Sequence, residues 1–583
     1  LKSQVILLEH LIRDAGDALG ISVERDIETL WRRFETEGFA FLSITLPRLD
    51  DMLLAGLRAG TLPPYEGWLA RCAYPEFLSG LWAQIFSEKG DLRPTPLSVL
   101  AIRYLRQITR LYKKVYEVCE DSRVDAAIRQ FVTTDKSLPS RAEIKRRLDP
   151  YARKVAHLLF GNLVGEALAT INDGKHGPGD VSEQFGANER WNFESISYSI
   201  ESLVGPEYFR TSWFDLLERP PLNKEVPARL VAVPKTALTP RLISIEPSYN
   251  QFVQQALQLR LKALLEEGGY ACSYTHQTHN QKLALEGSVH GEIATIDLSE
   301  ASDRVSLALV EELFGFSPLF LRYLRLSRSR FVQLPDGELV LLNKFASMGS
   351  ALTFPVESMV FHTLVVTALC RMRNDFSEKT IKAYRKRSSA LSIYGDDIIV
   401  PTAAFPSVVQ TLTSLGMKVN DSKSFASGGF RESCGTDAYE GWVVTPAYAR
   451  AYLPESRADS NEVVKASALR NQLYERFGVN RAVRFLDSVI GALVRYPSIP
   501  HGMAGIGRWS DEPDYSFCRW NPTLFRREWY MPTLVESKRR DPIDSYGALQ
   551  KGLRTGLNED PDHLTFAGRP VATNIHYRWS AEV

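Results

Sequence analysis

The sequence predicts an α+β protein, with a mainly antiparallel sheet in its middle third and largely helical N- and C-terminal regions. Two observations lead there. In the first third, apolar residues recur at helical spacing; in the middle third, short β-branched runs alternate with helical segments, and some runs fold into hairpins. Composition sets the outer limits. The 583 residues are 44% hydrophobic and 24% charged, which excludes wholesale disorder, collagen-like repetition and a coiled-coil rod. Single cores stop growing near roughly 250–300 residues, so several lobes are expected.

Val5, Leu8, Leu11 and Ile12 mark a first amphipathic helix, and Ile27, Leu30, Trp31 and Phe34 a second. Residues 39–47 (FAFLSITLP) are apolar and β-prone. Helices follow around 96–121 and 141–160. The glycines of 172–186 make a loop; with no Gly-Lys-Ser/Thr after them, it is a poor phosphate cradle. Strands are expected over 229–233, 242–245, 293–297, 332–342, 391–400 and 442–444, with Leu334-Pro335-Asp336-Gly337 splitting the fourth into a hairpin. Helices alternate with them over 250–267, 306–314, 351–370 and 408–415. From about Ala449 the chain turns helical, then rich in Trp, Tyr, Arg and Pro.

Six cysteines are scattered without a CxxC pair, which argues against a zinc ribbon or disulfide framework and for reduced thiols in a cytosol-like compartment. No export or membrane segment is expected: the longest apolar run, 359–370, is too short to span a bilayer, and the protein reads as soluble. The first residue is Leu rather than Met, as in a trimmed or incomplete start.

The strongest chemical signal is 392–401 (SIYGDDIIVP). Two β-prone runs flank Gly395-Asp396-Asp397, the pattern of a hairpin with carboxylates at its tip. Adjacent carboxylates repel unless a cation neutralises them, and oxygen-only ligands on a short turn suit Mg²⁺ or Mn²⁺. An ordinary Asp-rich turn is the alternative, but such turns are solvated and these flanks are strongly apolar. Upstream, 294–303 (ATIDLSEASD) sets Asp297 at the end of an apolar strand and Asp303 at the start of the next helix. Alone, Asp297 reads best as a helix cap. With Asp396 and Asp397 it completes a carboxylate set for two metals roughly 3.5–4 Å apart, which serve in-line phosphoryl transfer.

Two weaker elements accompany these. Prolines stiffen 233–241 (VPKTALTPR), which presents Lys235 and Arg241; a triphosphate clamp and a solvated basic loop fit equally. In 344–357 (KFASMGSALTFPVE), Ser347 and Gly349 form a small-residue turn into a helix whose one face carries Thr353 and Glu357. A capped structural helix is the alternative there.

Basic loop, Asp strand, Ser-Gly loop with helix, and Gly-Asp-Asp hairpin follow the order of motifs F, A, B and C of right-hand polymerases. The string resembles RNA-dependent RNA polymerases and, within them, the replicases of single-stranded RNA bacteriophages, the levivirus group. The likeness is carried by HQTHNQKLALEGS (276–288), ATIDLSEASD, SMGSALTFPVESMVF (347–361), YGDDIIVP (394–401) and FRESCG (430–435), with EGFAFLSITLP (37–47) further upstream. It is close from about Lys224 to Arg450.

That resemblance implies a right-hand fold: an N-terminal region and fingers over 1–222, fingers with the triphosphate loop over 223–290, a palm over 291–449, and a thumb and C-terminal region over 450–583. It implies an RNA-directed RNA polymerase that copies a phage RNA genome from ribonucleoside triphosphates without a primer. Asp297, Asp396 and Asp397 would hold two Mg²⁺ ions. Lys235 and Arg241 would hold the triphosphate, and Asp303, Ser347, Gly349, Thr353 and Glu357 would line the nucleotide site. Lys423, in GMKVNDSKSF (416–425), would protonate pyrophosphate, with Lys418 competing for that role. The implied partners are RNA, host elongation factors Tu and Ts and a ribosomal OB-fold protein, in the cytoplasm of an infected bacterium. Glu357 stands where many viral enzymes carry Asn, and Pro355 is expected to perturb the first turns of its helix.

Net charge is +1, so RNA contact would fall to local clusters. Residues 371–387 carry seven cations against Asp375 and Glu378; 321–331 carry Arg322, Arg325, Arg328 and Arg330 with no acid; 516–540 interleave arginines with aromatics. A reverse transcriptase would share the hairpin but places a bulky aromatic near Ser302, where this chain has small and acidic residues. A catalytically dead RNA-binding scaffold is the rival from another class, and three intact carboxylates argue against it.

Overall fold

The computed structural model describes residues 1–581 apart from positions 71, 96, 116, 117, 171–173, 194, 195, 205–221, 224, 273, 276, 389, 390 and 556–561. The first two residues of the 172–186 loop, Pro96, Lys224 and His276 thus lie outside the described residues.

One apolar core joins the two ends of the chain. Helices Lys2–Leu19, Glu24–Glu37, Leu46–Ala59 and Ser98–Arg110 turn their apolar stripes toward Ser460–Phe477 and Arg481–Gly491. Val5, Leu8, Leu11 and Ile12, at the expected spacing, are fully buried there beside Leu486 and Ile490. The β-prone stretch 39–47 is not a strand. It forms a π-helical turn, Phe41–Thr45, that runs into Leu46–Ala59. Phe41, Leu42, Leu46, Leu49 and Leu53 all enter this helical core, and that burial outweighs local β preference.

A second core surrounds the helix Thr353–Arg373. Every residue from Pro355 to Cys370 is buried, packed by Ala152–Ala169, Ser248–Glu267, Leu307–Phe314 and the central sheet. With 21 residues this helix is long and apolar enough to cross a bilayer, longer than the 359–370 run suggested, but here its surroundings are protein. Each fully buried Leu or Val on it contributes roughly 1.5–3 kcal/mol. Pro355 is the third helical residue, a position whose N–H has no intrahelical acceptor, so the proline costs no helical hydrogen bond. The helix expected over 141–160 divides into Arg141–Arg147 and Ala152–Ala169, because Asp149 precedes Pro150 and is steered away from the α region.

The expected strands form, but in several small sheets. The central one orders Ile293–Ile296, Asp397–Pro401 and Ser392–Tyr394, antiparallel throughout. A four-stranded sheet orders Arg241–Ile245, Ala228–Val233, Phe331–Gln333 and Leu339–Leu341, with only its middle pairing parallel. The predicted turn closes its last two strands, Leu334 N donating to Glu338 O at 2.9 Å. A helix the periodicity did not reveal, Asp121–Lys136, packs Phe131 against this sheet. Beyond Gly491 the helical expectation gives way: Cys518–Asn521, Arg526–Lys538 and Pro570–Ala581 make a three-stranded antiparallel sheet. None of the six cysteines, all of them among the described residues, forms a disulfide.

A buried ion network ties the first core to the central region. The Arg106 side chain, with no exposed surface, pairs with Asp437 at 2.9 Å and with Asp50 at 3.3 Å, and Arg110 also pairs with Asp50. Removing one partner from a buried pair leaves an uncompensated charge. Arg106→Met should therefore cost about 3 kcal/mol or more of stability, read as a lower urea midpoint by far-ultraviolet circular dichroism. Arg106→Lys should recover only part of it.

Candidate active site

The double-aspartate segment folds as predicted. Ser392–Tyr394 and Asp397–Pro401 pair with Tyr394 opposite Asp397, leaving Gly395-Asp396 as a two-residue turn. Gly395 takes φ +59°, and a Cβ there would lie 2.7 Å from Phe354, so both the turn and its close approach require glycine. Ile398 pairs with Ile296, which brings Asp297 level with the base of the turn. On the far side of the Asp297 strand, Lys418–Val419 pairs with Leu298–Ser299, and Phe425 exchanges backbone hydrogen bonds with Thr295. The segment between carries Asn420 and Lys423 to the same carboxylates. Asn420 Nδ2 donates to Asp297 Oδ2 at 2.8 Å, and Lys423 Nζ lies 3.7 Å from both Asp297 Oδ1 and Glu432 Oε1.

The carboxylates raise one another's proton affinity. Burial lifts Asp397 to about 6, with Asp396 adding to the effect and a backbone hydrogen bond from Cys434 opposing it. Asp396 is raised by burial first and by Asp297 second. Burial drives Glu357 well above the usual carboxylate range, helped by Asp396 and Asp303. Glu432 rises to about 7 through burial and Asp437, with Lys423 opposing. Burial alone would lower the Lys423 ammonium, but Glu432, Asp297, Asp397 and Asp396 outweigh it and hold Lys423 well above its ordinary value. Lys423 is thus firmly cationic among acids. Lys418 is exposed on the neighbouring strand, opposite Ser299.

Glu357 Oε2 and Ser347 Oγ are buried without a hydrogen-bond partner. Thr353 Oγ1 donates to Ser347 O at 2.7 Å, closing the turn against the helix start. Asp303, read from the sequence as a nucleotide contact, is already engaged by Lys344 Nζ at 3.0 Å. Sequence reasoning missed Lys344, Asn420, Glu432 and Asn280 as site residues. Asn280 sits in the buried heart of the site: its Oδ1 accepts from Ser392 Oγ at 2.6 Å, and its Nδ2 donates to Ser433 Oγ at 3.3 Å. Ser433 Oγ in turn donates to Asp397 Oδ1 at 3.4 Å. The only signal for these residues was their place in blocks such as HNQKLALEGS and FRESCG, which carry no chemistry by composition.

Among the described residues, no group of three His, Cys, Asp or Glu side chains converges closely enough to enclose a metal ion. Residues 221–459 match the family described as RNA replicase, beta-chain. The RNA-directed RNA polymerase subunit beta of Qbeta virus (strain MX1) is 39% identical over 230 residues, covering 40% of this chain and 36% of that one. The same subunit of Escherichia virus Qbeta is 40% identical over 230 residues, with the same coverage. The RNA-directed RNA polymerase beta chain of Escherichia phage MS2 is 37% identical over 219 residues, 37% of each chain. The central region of this chain is thus similar to the RNA replicase beta-chain family. The chain covers little more than a third, 36–37%, of the length of these relatives.

Lys235 lies in the loop two residues beyond Ala228–Val233, Arg241 opens the partner strand, and both keep exposed surface. Partial desolvation, then Arg241 and Lys423, lower the Lys235 ammonium, while Asp297 and Asp396 pull it back. The 321–331 cluster is not a free basic face. Arg328 is buried and donates to Leu342 O, Lys344 O and Phe345 O, while Arg325 pairs with Glu311 at 2.8 Å and Arg330 with Glu225 at 3.8 Å. In 371–387, Arg371 grips Asp149, Lys382 pairs with Glu378 and Arg387 with Glu266. Acids from other elements thus engage Arg325, Arg330, Arg371 and Arg387, so part of what looked like runs of free cations is structural.

The Ser347–Gly349 turn docks on a strand of the four-stranded sheet: Ser244 N donates to Met348 O at 2.8 Å. Gly349 has φ +128°, and a Cβ would fall 2.0 Å from Ser244 O. Gly349→Ala should therefore push the turn off the strand, at a cost of about 1–3 kcal/mol from backbone strain alone. A lower melting temperature and faster amide hydrogen exchange at Ser244 would report it.

Proposed function

We propose that the chain is the catalytic subunit of an RNA-directed RNA polymerase that replicates a single-stranded RNA phage genome. The observation that carries this reading is the placing of Asp297, Asp396 and Asp397 at adjacent ends of antiparallel strands, with Lys423 against them. The fingers, palm and thumb divisions read from the sequence go with it, the carboxylate sheet belonging to the palm.

The donors there are all carboxylate oxygens, those of Asp396 and Asp397 raised in proton affinity by burial and by neighbouring carboxylates, and Glu357 Oε2 is an orphaned buried acceptor nearby. That set fits Mg²⁺, which binds through one or two carboxylates, waters and substrate phosphates rather than in an all-protein cage. Two such ions, held by Asp297, Asp396 and Asp397, would supply the positive charge that activates a 3′-hydroxyl and stabilises a leaving pyrophosphate. The chain's own residues do the rest. Lys235 and Arg241 would bind the triphosphate, Lys423 Nζ would hold the proton that pyrophosphate takes, and Asp303 would accept a hydrogen bond from a ribose hydroxyl. Ser347, Thr353 and Glu357 would shape the nucleotide pocket around it. The relatives' designation as a beta subunit supports a multi-subunit enzyme. Host elongation factors Tu and Ts and a ribosomal OB-fold protein are the proposed partners, in the bacterial cytoplasm.

Two experiments test the proposal. Asp396→Asn should lower ribonucleotide incorporation by orders of magnitude while leaving the melting temperature equal or higher, because one of several mutually repelling charges is gone. Near-normal synthesis by the folded variant would sink the assignment. The second concerns template binding by the C-terminal sheet. Arg526 is tied to Glu528, but Arg527 lies over Tyr515, and its strand neighbour Trp520 is 57% exposed. Trp520→Ala with Arg527→Ala should weaken single-stranded RNA binding and lower the slope of log affinity against log salt by about one. Arg526→Ala alone should change little.

A further inference from the structure

The ion pair between Lys344 and Asp303 differs from those on the surface. The Lys344 side chain has no exposed area, whereas that of Asp303 remains 24% exposed. The ammonium lies 3.0 Å from Asp303 Oδ1 and 3.3 Å from the centre of the Phe131 ring. Its backbone is held on both sides. Asp135 Oδ1 accepts from Lys344 N at 3.0 Å, and Lys344 O accepts from Arg328 Nη2 at 2.8 Å. Asp135 also accepts from Asn343 N at 2.9 Å and from Asn343 Nδ2 at 3.1 Å.

Phe131 and Asp135 lie one turn apart on Asp121–Lys136. The same helix reaches the segment that carries Asp303, through Thr134 Oγ1 donating to Glu300 Oε2 at 3.2 Å. One helix from the first quarter of the chain thus braces both the segment holding Asp303 and the segment holding Lys344. Burying a lysine costs several kcal/mol of desolvation, and an apolar side chain would fill the space as well. A lysine adds a directed, charge-assisted hydrogen bond: with Oδ1 held, the partly exposed Asp303 carboxylate still has acceptor capacity to spare.

We infer that Lys344 is a positioning residue for sugar selection, holding the Asp303 carboxylate where it meets a ribose hydroxyl, and that Asp135 sets Lys344 in place. The inference rests on the proposed ribose contact of Asp303. Steady-state kcat/KM for ATP and for dATP, measured on the full chain with the partners it is purified with, separates the two ideas. Lys344→Met should lower the ATP-to-dATP ratio by up to about 10²-fold, mainly through KM for ATP, in a variant that still folds. Lys344→Arg should restore part of the ratio, and Asp135→Asn should lower it by a smaller factor. Asp303→Ala should narrow the ratio too, and adding Lys344→Met to it should change nothing further.

A folded Lys344→Met protein with the wild-type ratio, alongside a narrowed ratio in Asp303→Ala, would overturn the positioning role. An unchanged ratio in Asp303→Ala would overturn the ribose contact itself. Should Lys344→Met fail to fold, Asp135→Asn, which keeps the side chain's shape, carries the same test with the same two outcomes.

Discussion

Carboxylates gathered in a half-buried space repel one another and lose solvation, and the centre of this molecule is organised around that penalty. Strand register sets Asp297 level with Asp397, and Asp396 occupies the turn beside them. The surrounding groups hold the arrangement rather than dissolve it. Asn420 takes one oxygen of Asp297, Ser433 takes one of Asp397, and Lys423 lies among the acids with its charge secured by them. Buried Asn280 ties Ser392 to Ser433, so the two hairpins beside the carboxylates cannot shift independently. A cluster left this short of positive charge is suited to recruit cations and polyphosphate together, which is the physical basis of the proposed polymerase chemistry.

Rigidity comes from two layers beneath. The helix Thr353–Arg373, buried from Pro355 to Cys370, backs the carboxylate hairpin, and Gly395 lets the turn lie against Phe354 at its start. The Ser347–Gly349 turn is held to the four-stranded sheet by the Ser244 amide. The sheet that begins one strand at Arg241 and the helix with Glu357 are therefore mechanically linked, although more than a hundred residues separate those two side chains. The ends of the chain contribute from further away: the N-terminal and C-terminal helices share one core, and Arg106 joins it to the strand carrying Asp437.

Arginine in this chain serves structure as often as surface charge. Arg328 is spent on three carbonyls around Lys344, and Arg325, Arg330 and Arg371 each meet an acid from another element. A guanidinium offers five fixed donors, which makes it an efficient brace for irregular backbone. Counting cations along a window cannot separate that use from phosphate binding, because the neutralising acid is distant in sequence.

The sequence by itself determined the local facts: the double-aspartate hairpin, the strand ending in Asp297, the turn at Leu334–Gly337 and the helical periodicity of the first residues. Each depends on neighbours within a few positions, where turn chemistry and apolar spacing act directly. The resemblance to phage replicases, close from about Lys224 to Arg450, covers nearly the same stretch as the replicase match over 221–459. Only the tertiary structure decided that 41–45 is helical rather than extended, that the C-terminal aromatics build a sheet, and that Asp303 is clamped by Lys344. It alone brought Asn280, Asn420 and Glu432 to the carboxylates and set Asp135 behind Lys344. Those outcomes depend on desolvation and on partners distant in sequence, 41 residues for Lys344 with Asp303, 123 for Asn420 with Asp297 and 209 for Asp135 with Lys344, and no local pattern encodes which distant side chain will satisfy a buried charge.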